Sequence, residues 1–138
     1  MCSSDLGSFP TVIGAGVVTI PSGNQLPNAA KVTFNQTVGY EFPVDGGAWR
    51  LGTQVQAHYS DGVFAEALNT WYLNSPASWL FDARMALSSG DHHQEIALWG
   101  KNLANKQYPI QETDDGFGSG YRIFNTPRTY GMSYLYRW

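Results

Sequence analysis

The chain has a single cysteine, Cys2, among 138 residues, which excludes a disulfide scaffold. Charge is scarce as well: Asp, Glu, Lys and Arg make up 14% of the residues, against roughly a quarter in an ordinary soluble domain. Eleven acidic and eight basic residues give a formal net charge of −3, so the basic surface that holds nucleic acid is missing. No apolar run approaches the ~20 residues of a transmembrane helix. No basic stretch followed by an apolar run marks a signal peptide. A helical membrane protein is thereby excluded. A membrane barrel is not, because alternating strands leave only a weak hydropathy signal.

Aromatic residues are abundant: five Trp, eight Tyr and seven Phe, with 15 Gly and 7 Pro. Disordered chains are poor in such residues. Met1-Cys2-Ser3-Ser4-Asp5-Leu6 matches the translation of a common sequencing-adapter end, so residues 1–6 are expected to be an artefact of a truncated read and 7–138 the native segment. Native codons for residues 1–6 in uninterrupted genomic DNA would refute this.

Period-2 alternation recurs along the chain, and helical periodicity is hard to find. Five strands are expected: 31–42, 48–60, 77–88, 94–102 and 128–138. A possible sixth closes with Val17-Val18-Thr19-Ile20. Each strand has an apolar row, such as Phe34, Val38, Tyr40 and Phe42, or Trp79, Phe81, Ala83, Met85 and Leu87. The last row is Tyr130, Met132, Tyr134, Tyr136 and Trp138. Gln36, Leu80 and Leu135 break the pattern, and the face of Trp99 is open. Pro43–Gly47 and Ser89–His93 read as short turns, 61–76 and 103–127 as long connections.

Strands of 9–13 residues exceed the ~5–6 typical of globular domains and match the ~9–11 that cross a bilayer. Short and long connections alternate, as in outer-membrane barrels, and the apolar rows end in aromatics suited to the membrane interfaces. The opposite rows carry Arg50, Gln54, Gln56, His58, Asp82, Arg84 and Glu95, as a wet lumen would. The competing architecture is a soluble, aromatic-rich antiparallel β-sandwich that binds carbohydrate, since its strands also alternate.

Little points to catalysis. Asp91, His92, His93 and Glu95 resemble a metal site, but neighbouring strand residues face opposite ways, so a solvated turn is the better account. Gly116-Phe117-Gly118-Ser119-Gly120 lacks the strand, helix and Lys-Ser/Thr pair of a phosphate loop. No serine elbow, reactive cysteine or base–orienter pair is present. An enzyme is not expected, nor any cofactor or metal. Ligand-facing candidates lie in the long connections: Trp71, Tyr72, Tyr108, Tyr121 and Arg122, residue types that give affinity at recognition surfaces.

Trp99-Gly100-Lys101-Asn102-Leu103 followed by Tyr108 resembles the late-barrel W-G-x-N-L-x-x-x-x-Y stretch of TonB-dependent outer-membrane receptors. Leu26-Pro27-Asn28-Ala29-Ala30 is similar to their L-P-N-A-P strand entry, with Ala30 in place of Pro. Pro127-Arg128-Thr129-Tyr130-Gly131, leading into a strand with a final aromatic, resembles their C-terminus. The resemblance covers about residues 23–138. It implies an all-β antiparallel meander, the C-terminal segment of a 22-stranded transmembrane barrel, in the bacterial outer membrane. It further implies import of scarce nutrients such as ferric siderophores, energised through TonB, with the plug domain and TonB contact in the missing part of the chain. The turns near Asp45 and Asp91 would be periplasmic, and 61–76 and 103–127 extracellular. Tyr134, Tyr136 and Trp138 match the signal read by the barrel-assembly machinery. Outer-membrane lipid and a small nutrient ligand complete the expected partners.

Overall fold

A computed structural model describes residues 9–13, 16–114 and 120–138. Residues 1–6, expected to derive from an adapter, and most of the glycine-rich stretch 116–120 lie outside them. Eleven strands follow one another: β1 (Phe9–Ile13), β2 (Gly16–Ile20), β3 (Thr33–Val44), β4 (Trp49–Ser60), β5 (Val63–Phe64), β6 (Asn74–Ser75), β7 (Ser78–Ser89), β8 (Gln94–Lys101), β9 (Pro109–Asp114), β10 (Gly120–Phe124) and β11 (Thr129–Tyr136). No helix among the described residues is long and apolar enough to cross a membrane, which says nothing about strands.

The chain divides into two compact units. One comprises Phe34–Tyr59, Trp79–Gln107 and Thr126–Trp138. It holds a five-stranded antiparallel sheet in the order β11-β8-β7-β4-β3, a meander of the five long strands. These are the five strands that the alternation predicts, with ends that differ by at most two residues. The β3–β4 turn is Asp45-Gly46-Gly47, where all three residues have positive φ, 52°, 64° and 101°. Asp tolerates this region and Gly occupies it freely, so the sequence reverses there within a few residues.

Register determines what each face presents. Tyr130 pairs with Gly100, Met132 with Leu98 and Tyr134 with Ile96. Gly100, Leu98 and Ile96 pair in turn with Ala83, Met85 and Leu87. One face of the sheet is therefore apolar across three strands. Rings continue it towards β3 and β4: Trp79 lies 4.9 Å from Tyr59 and 6.3 Å from Phe34, centroid to centroid, and stacks on Phe81 at 6.0 Å. This face is not a core. Val38, Tyr40 and Met132 are 63%, 70% and 71% exposed. The buried sheet residues are small; on the opposite face Ala97 is 1% exposed, with buried Ala86 beside it.

Two aromatic–glycine pairs fix the β8–β11 register. On the apolar face Tyr130 covers Gly100, where an added Cβ would come within 3.0 Å of the Tyr130 ring and 2.7 Å of Leu103 Cδ2. On the polar face Trp99 covers Gly131, and an added Cβ there would collide with the indole. Each strand thus lends a ring to the glycine of the other, an arrangement that restores the packing a glycine forfeits. The face of Trp99 is settled by this pairing: it lies with Glu95 and Lys101.

The second unit comprises the described residues within Met1–Thr33, Ser60–Ser78 and Tyr108–Asn125. Its two longer hairpins pair β1 with β2 and β9 with β10, and β5 pairs with β6 in two short stretches. The sequence reading takes 103–127 wholly as a connection. Within it, β9 and β10 pair antiparallel, with Tyr121 opposite Thr113, Arg122 opposite Glu112 and Ile123 opposite Gln111. Gln25 is buried and satisfied, with Nε2 donating to the carbonyls of Ala29 (2.5 Å) and Gly62 (3.0 Å).

Gly131→Ala is expected to destabilise the protein by about 1–3 kcal/mol, the usual cost of forcing atoms into a filled space. Trp99→Ala in the same chain should recover part of that loss, because the collision disappears. Denaturant midpoints of the two single variants and the double variant check this; strictly additive losses would contradict the pairing.

Candidate functional site

The polar face of the sheet collects the residues predicted to line a lumen. Arg50 Nη1 pairs with Glu41 Oε1 at 3.1 Å and Arg84 Nη2 with Glu95 Oε1 at 2.5 Å, each across neighbouring strands. His58 Nδ1 lies 2.5 Å from Asn35 Oδ1. These groups are largely exposed, so the pairs are worth little in stability. They satisfy one another along a wet wall. Gln54, Gln56, Asp82, Arg84, Trp99 and Lys101 line a groove on this face.

Asp82 has a second task. Its Oδ1 accepts the Asn102 N–H at 2.8 Å, where the chain leaves β8. Asn102 is buried and adopts a positive φ of 50°. Its Nδ2 donates to the carbonyls of Lys106 (2.9 Å) and Thr126 (3.0 Å), and its Oδ1 accepts the Lys106 N–H at 2.9 Å. Asn105 Oδ1 then accepts the Arg128 N–H at 3.0 Å. One asparagine thus fastens the end of β8 to the segment that enters β11. The W-G-K-N-L motif carries this work, yet sequence reasoning passes over Asn102 as a site residue.

The loop candidates fall into two sets. Trp71, Tyr72 and Arg122 come together: Trp71 and Tyr72 meet edge to face at 5.5 Å, and Arg122 Nη2 donates to the Tyr72 carbonyl. Arg122 also lies opposite Glu112 in the β9–β10 register, with Nε 2.7 Å from Glu112 Oε1. That approach is a charge contact without hydrogen-bond alignment. The Glu112 side chain is only 2% exposed, so the arginine holds a buried carboxylate on one side and the Trp71–Tyr72 loop on the other. Trp71 itself is 82% exposed. Tyr121 neighbours Arg122 on the opposite side of β10, with its hydroxyl 3.4 Å from Gln111 Nε2. Tyr108 is held through its backbone, its N–H donating to Asn125 Oδ1 at 2.9 Å. Glu112 is absent from the sequence-derived candidates because 109–124 reads as a loop; its partner becomes legible only once β9 and β10 are paired.

The short turn at 89–93 is a hydrogen-bonded Asp turn. Asp91 Oδ1 accepts from the Ser89 hydroxyl (2.5 Å) and the His93 N–H (3.1 Å), and Ser89 Oγ accepts the Gln94 N–H at 3.0 Å. The Ser89 hydroxyl, then the His93 amide, hold the Asp91 carboxyl below its ordinary value. His93 Nδ1 lies 2.6 Å from the Arg137 carbonyl, so the two adjacent histidines do not converge. Among the described residues, no three His, Cys, Asp or Glu side chains gather as metal ligands would. Tyr134 and Tyr136 lie on the β11 row, and Trp138 follows it fully exposed.

Comparison with protein-family models, with curated proteins and with solved structures gives no match for this chain.

Two outcomes follow from these contacts. Arg122→Met should leave Glu112 buried and unpaired, costing about 1–3 kcal/mol; the half-exposed arginine keeps this below the cost of breaking a fully buried pair. Thermal melting reads the loss, and Glu112→Gln in the same chain should reduce it. The lowered Asp91 pKa means that its contribution is present above the ordinary carboxylate range and is lost as pH falls through the folded-state value. Protection of the His93 and Gln94 amides, taken relative to their intrinsic exchange rates, should therefore fall on acidification below about pH 4; unchanged protection would contradict the turn.

Proposed function

We propose that this chain is a late segment of the barrel of a TonB-dependent outer-membrane receptor, importing a scarce nutrient of the ferric-siderophore kind. The observation that carries the reading is the uncovered apolar face. A soluble sandwich needs a second layer over it, yet its large side chains remain exposed from β3 to β11. Lipid is the solvent that such a face fits, and the paired charges of the other face fit water.

The dimensions agree with that assignment. From Phe34 to Val44 the strand advances ten residues, about 33 Å at ~3.3 Å per residue. Tilted by ~40°, it rises about 25 Å, the height of the apolar band of outer-membrane barrels. Rings gather at both ends of this span, Phe34, Tyr59 and Trp79 at one and Tyr40 and Phe42 (5.9 Å apart) towards the other. In this reading the outer edges of β3 and β11 pair with barrel strands that precede this segment. The short turns face the periplasm and the long connections 61–76 and 103–127 are extracellular, with Trp71, Tyr72 and Arg122 among their ligand-facing groups. Energy coupling through the plug and TonB belongs to the part of the protein encoded upstream.

The test is to express the whole reading frame in a Gram-negative host and fractionate its envelope. The protein should appear in the outer membrane and migrate differently on gels before and after boiling. Its upstream frame should encode a plug. A soluble periplasmic or cytoplasmic product would contradict the proposal.

A further inference from the structure

Trp71 is 82% exposed, yet the loop beneath it is tied from within and from both flanks. Inside the loop, the Leu73 carbonyl accepts the Ala65 N–H at 2.9 Å, the Glu66 carbonyl the Asn69 N–H at 3.2 Å and the Thr70 carbonyl the Leu73 N–H at 3.0 Å. The Thr70 hydroxyl donates to Glu66 Oε1, and Leu73 is buried. On one flank Arg122 holds the Tyr72 carbonyl. The other flank is held by residues 24–28, a stretch that contains the Leu26-Pro27-Asn28 motif. Asn24 Nδ2 donates to the Ala67 carbonyl at 2.8 Å, and the Phe64 carbonyl accepts the Asn28 N–H at 2.8 Å. Between them the buried Gln25 side chain donates to the Gly62 carbonyl at 3.0 Å. The Gln25 main chain meets the Asn69 amide. Oriented to satisfy both its ends, that amide donates from Nδ2 to the Gln25 and Glu66 carbonyls (3.0 and 3.1 Å) and accepts the Gln25 N–H at Oδ1 (2.6 Å). All these residues lie within one compact unit.

The bonding supports a tip that gains no core from it. Burying a glutamine and aligning an asparagine amide cost side-chain entropy and desolvation. Trp71 meets the Tyr72 ring edge to face at 5.5 Å and keeps most of its surface in water. Fixed presentation favours association instead, because a ring already held in place loses little conformational entropy when a partner covers it. We infer that Gln25 and Asn69 are positioning residues for recognition through Trp71. They set where the indole stands before any partner arrives, so the tip binds as a preformed anchor and no closure of this loop is needed. The part Trp71 plays in recognition rests on the receptor function proposed above; its fixed presentation rests on the contacts alone.

The test is fluorine NMR of the purified whole chain, labelled with 5-fluorotryptophan and with no ligand added. Signals of Trp71, Trp79 and Trp99 are assigned by single replacement with phenylalanine. Trp71 should give one narrow signal. Gln25→Ala should broaden or split it and leave Trp79 and Trp99, in the other unit, where they are. Asn69 has a positive φ of 56°, so Asn69→Gly keeps the backbone conformation while removing the amide, and should act as Gln25→Ala does. Gln25→Glu, equal in size but without the donor, should do the same. Exchange protection of the 65–73 segment, read by mass spectrometry, should fall severalfold to about tenfold in each variant, the size of one lost hydrogen bond. A Trp71 signal already broad or multiple in the parent overturns the inference. Variants that leave the Trp71 signal and the loop amides unchanged overturn it, as do variants that disturb all three tryptophans alike. The receptor function fails on a different observation, the absence of the chain from the outer membrane.

Discussion

Trp99 and Tyr130 each lie over the glycine of the facing strand, and the register they fix sets the character of both faces of the sheet. Side chains alternate with a period of two, so a one-residue slip would carry every apolar group to the other face. Here the slip is blocked twice. The Trp99 ring covers Gly131, and the Tyr130 ring together with Leu103 covers Gly100; the two contacts lie on opposite faces. With β8 and β11 in place, Met132, Leu98 and Met85 form one row, and Ser133, Ala97 and Ala86 the row beneath it.

The resulting sheet inverts the usual arrangement of a globular domain. Its large apolar side chains stay exposed, while its buried residues are small, Ala86 and Ala97 on the polar side among them. Salt bridges on that polar side are exposed and contribute little stability. Their use is to keep charges matched along a wall that meets water. Order at the end of β8 comes instead from backbone-directed bonds, with Asp82, Asn102 and Asn105 each satisfying main-chain groups of the turn and of the segment entering β11. In the other unit, Arg122 does comparable work between a buried carboxylate and the loop that displays Trp71.

The five long strands were legible because four of them carry at least four alternating apolar residues and β8 carries Ile96 and Leu98, bounded by turns such as Asp45-Gly46-Gly47. The β9–β10 pairing was not: its strands are six and five residues long, begin with Pro109 and Gly120, and lie in a Gly- and Asp-containing stretch whose sequence reads as loop. The polar row was legible as a row, from Arg50 to Glu95, but its pairings were not, because they depend on which strands adjoin. Trp99 shows the same limit. Its position near the end of a short alternating stretch leaves its face ambiguous until Gly131 is placed opposite. Asn102 was visible only as part of a motif, since its burial arises from chain segments 24 residues away at Thr126.

The central claim is that one face of this sheet meets lipid and the other water. Its most direct measurement is spin-label accessibility in reconstituted bilayers, using single cysteines at Val38, Met85 and Met132 against Gln54, Arg84 and Ser133, with Cys2 replaced by serine. The account predicts that oxygen relaxes the first three labels preferentially and a water-soluble nickel complex the second three, alternating along each strand. Equal access of the nickel complex to all six positions would contradict it.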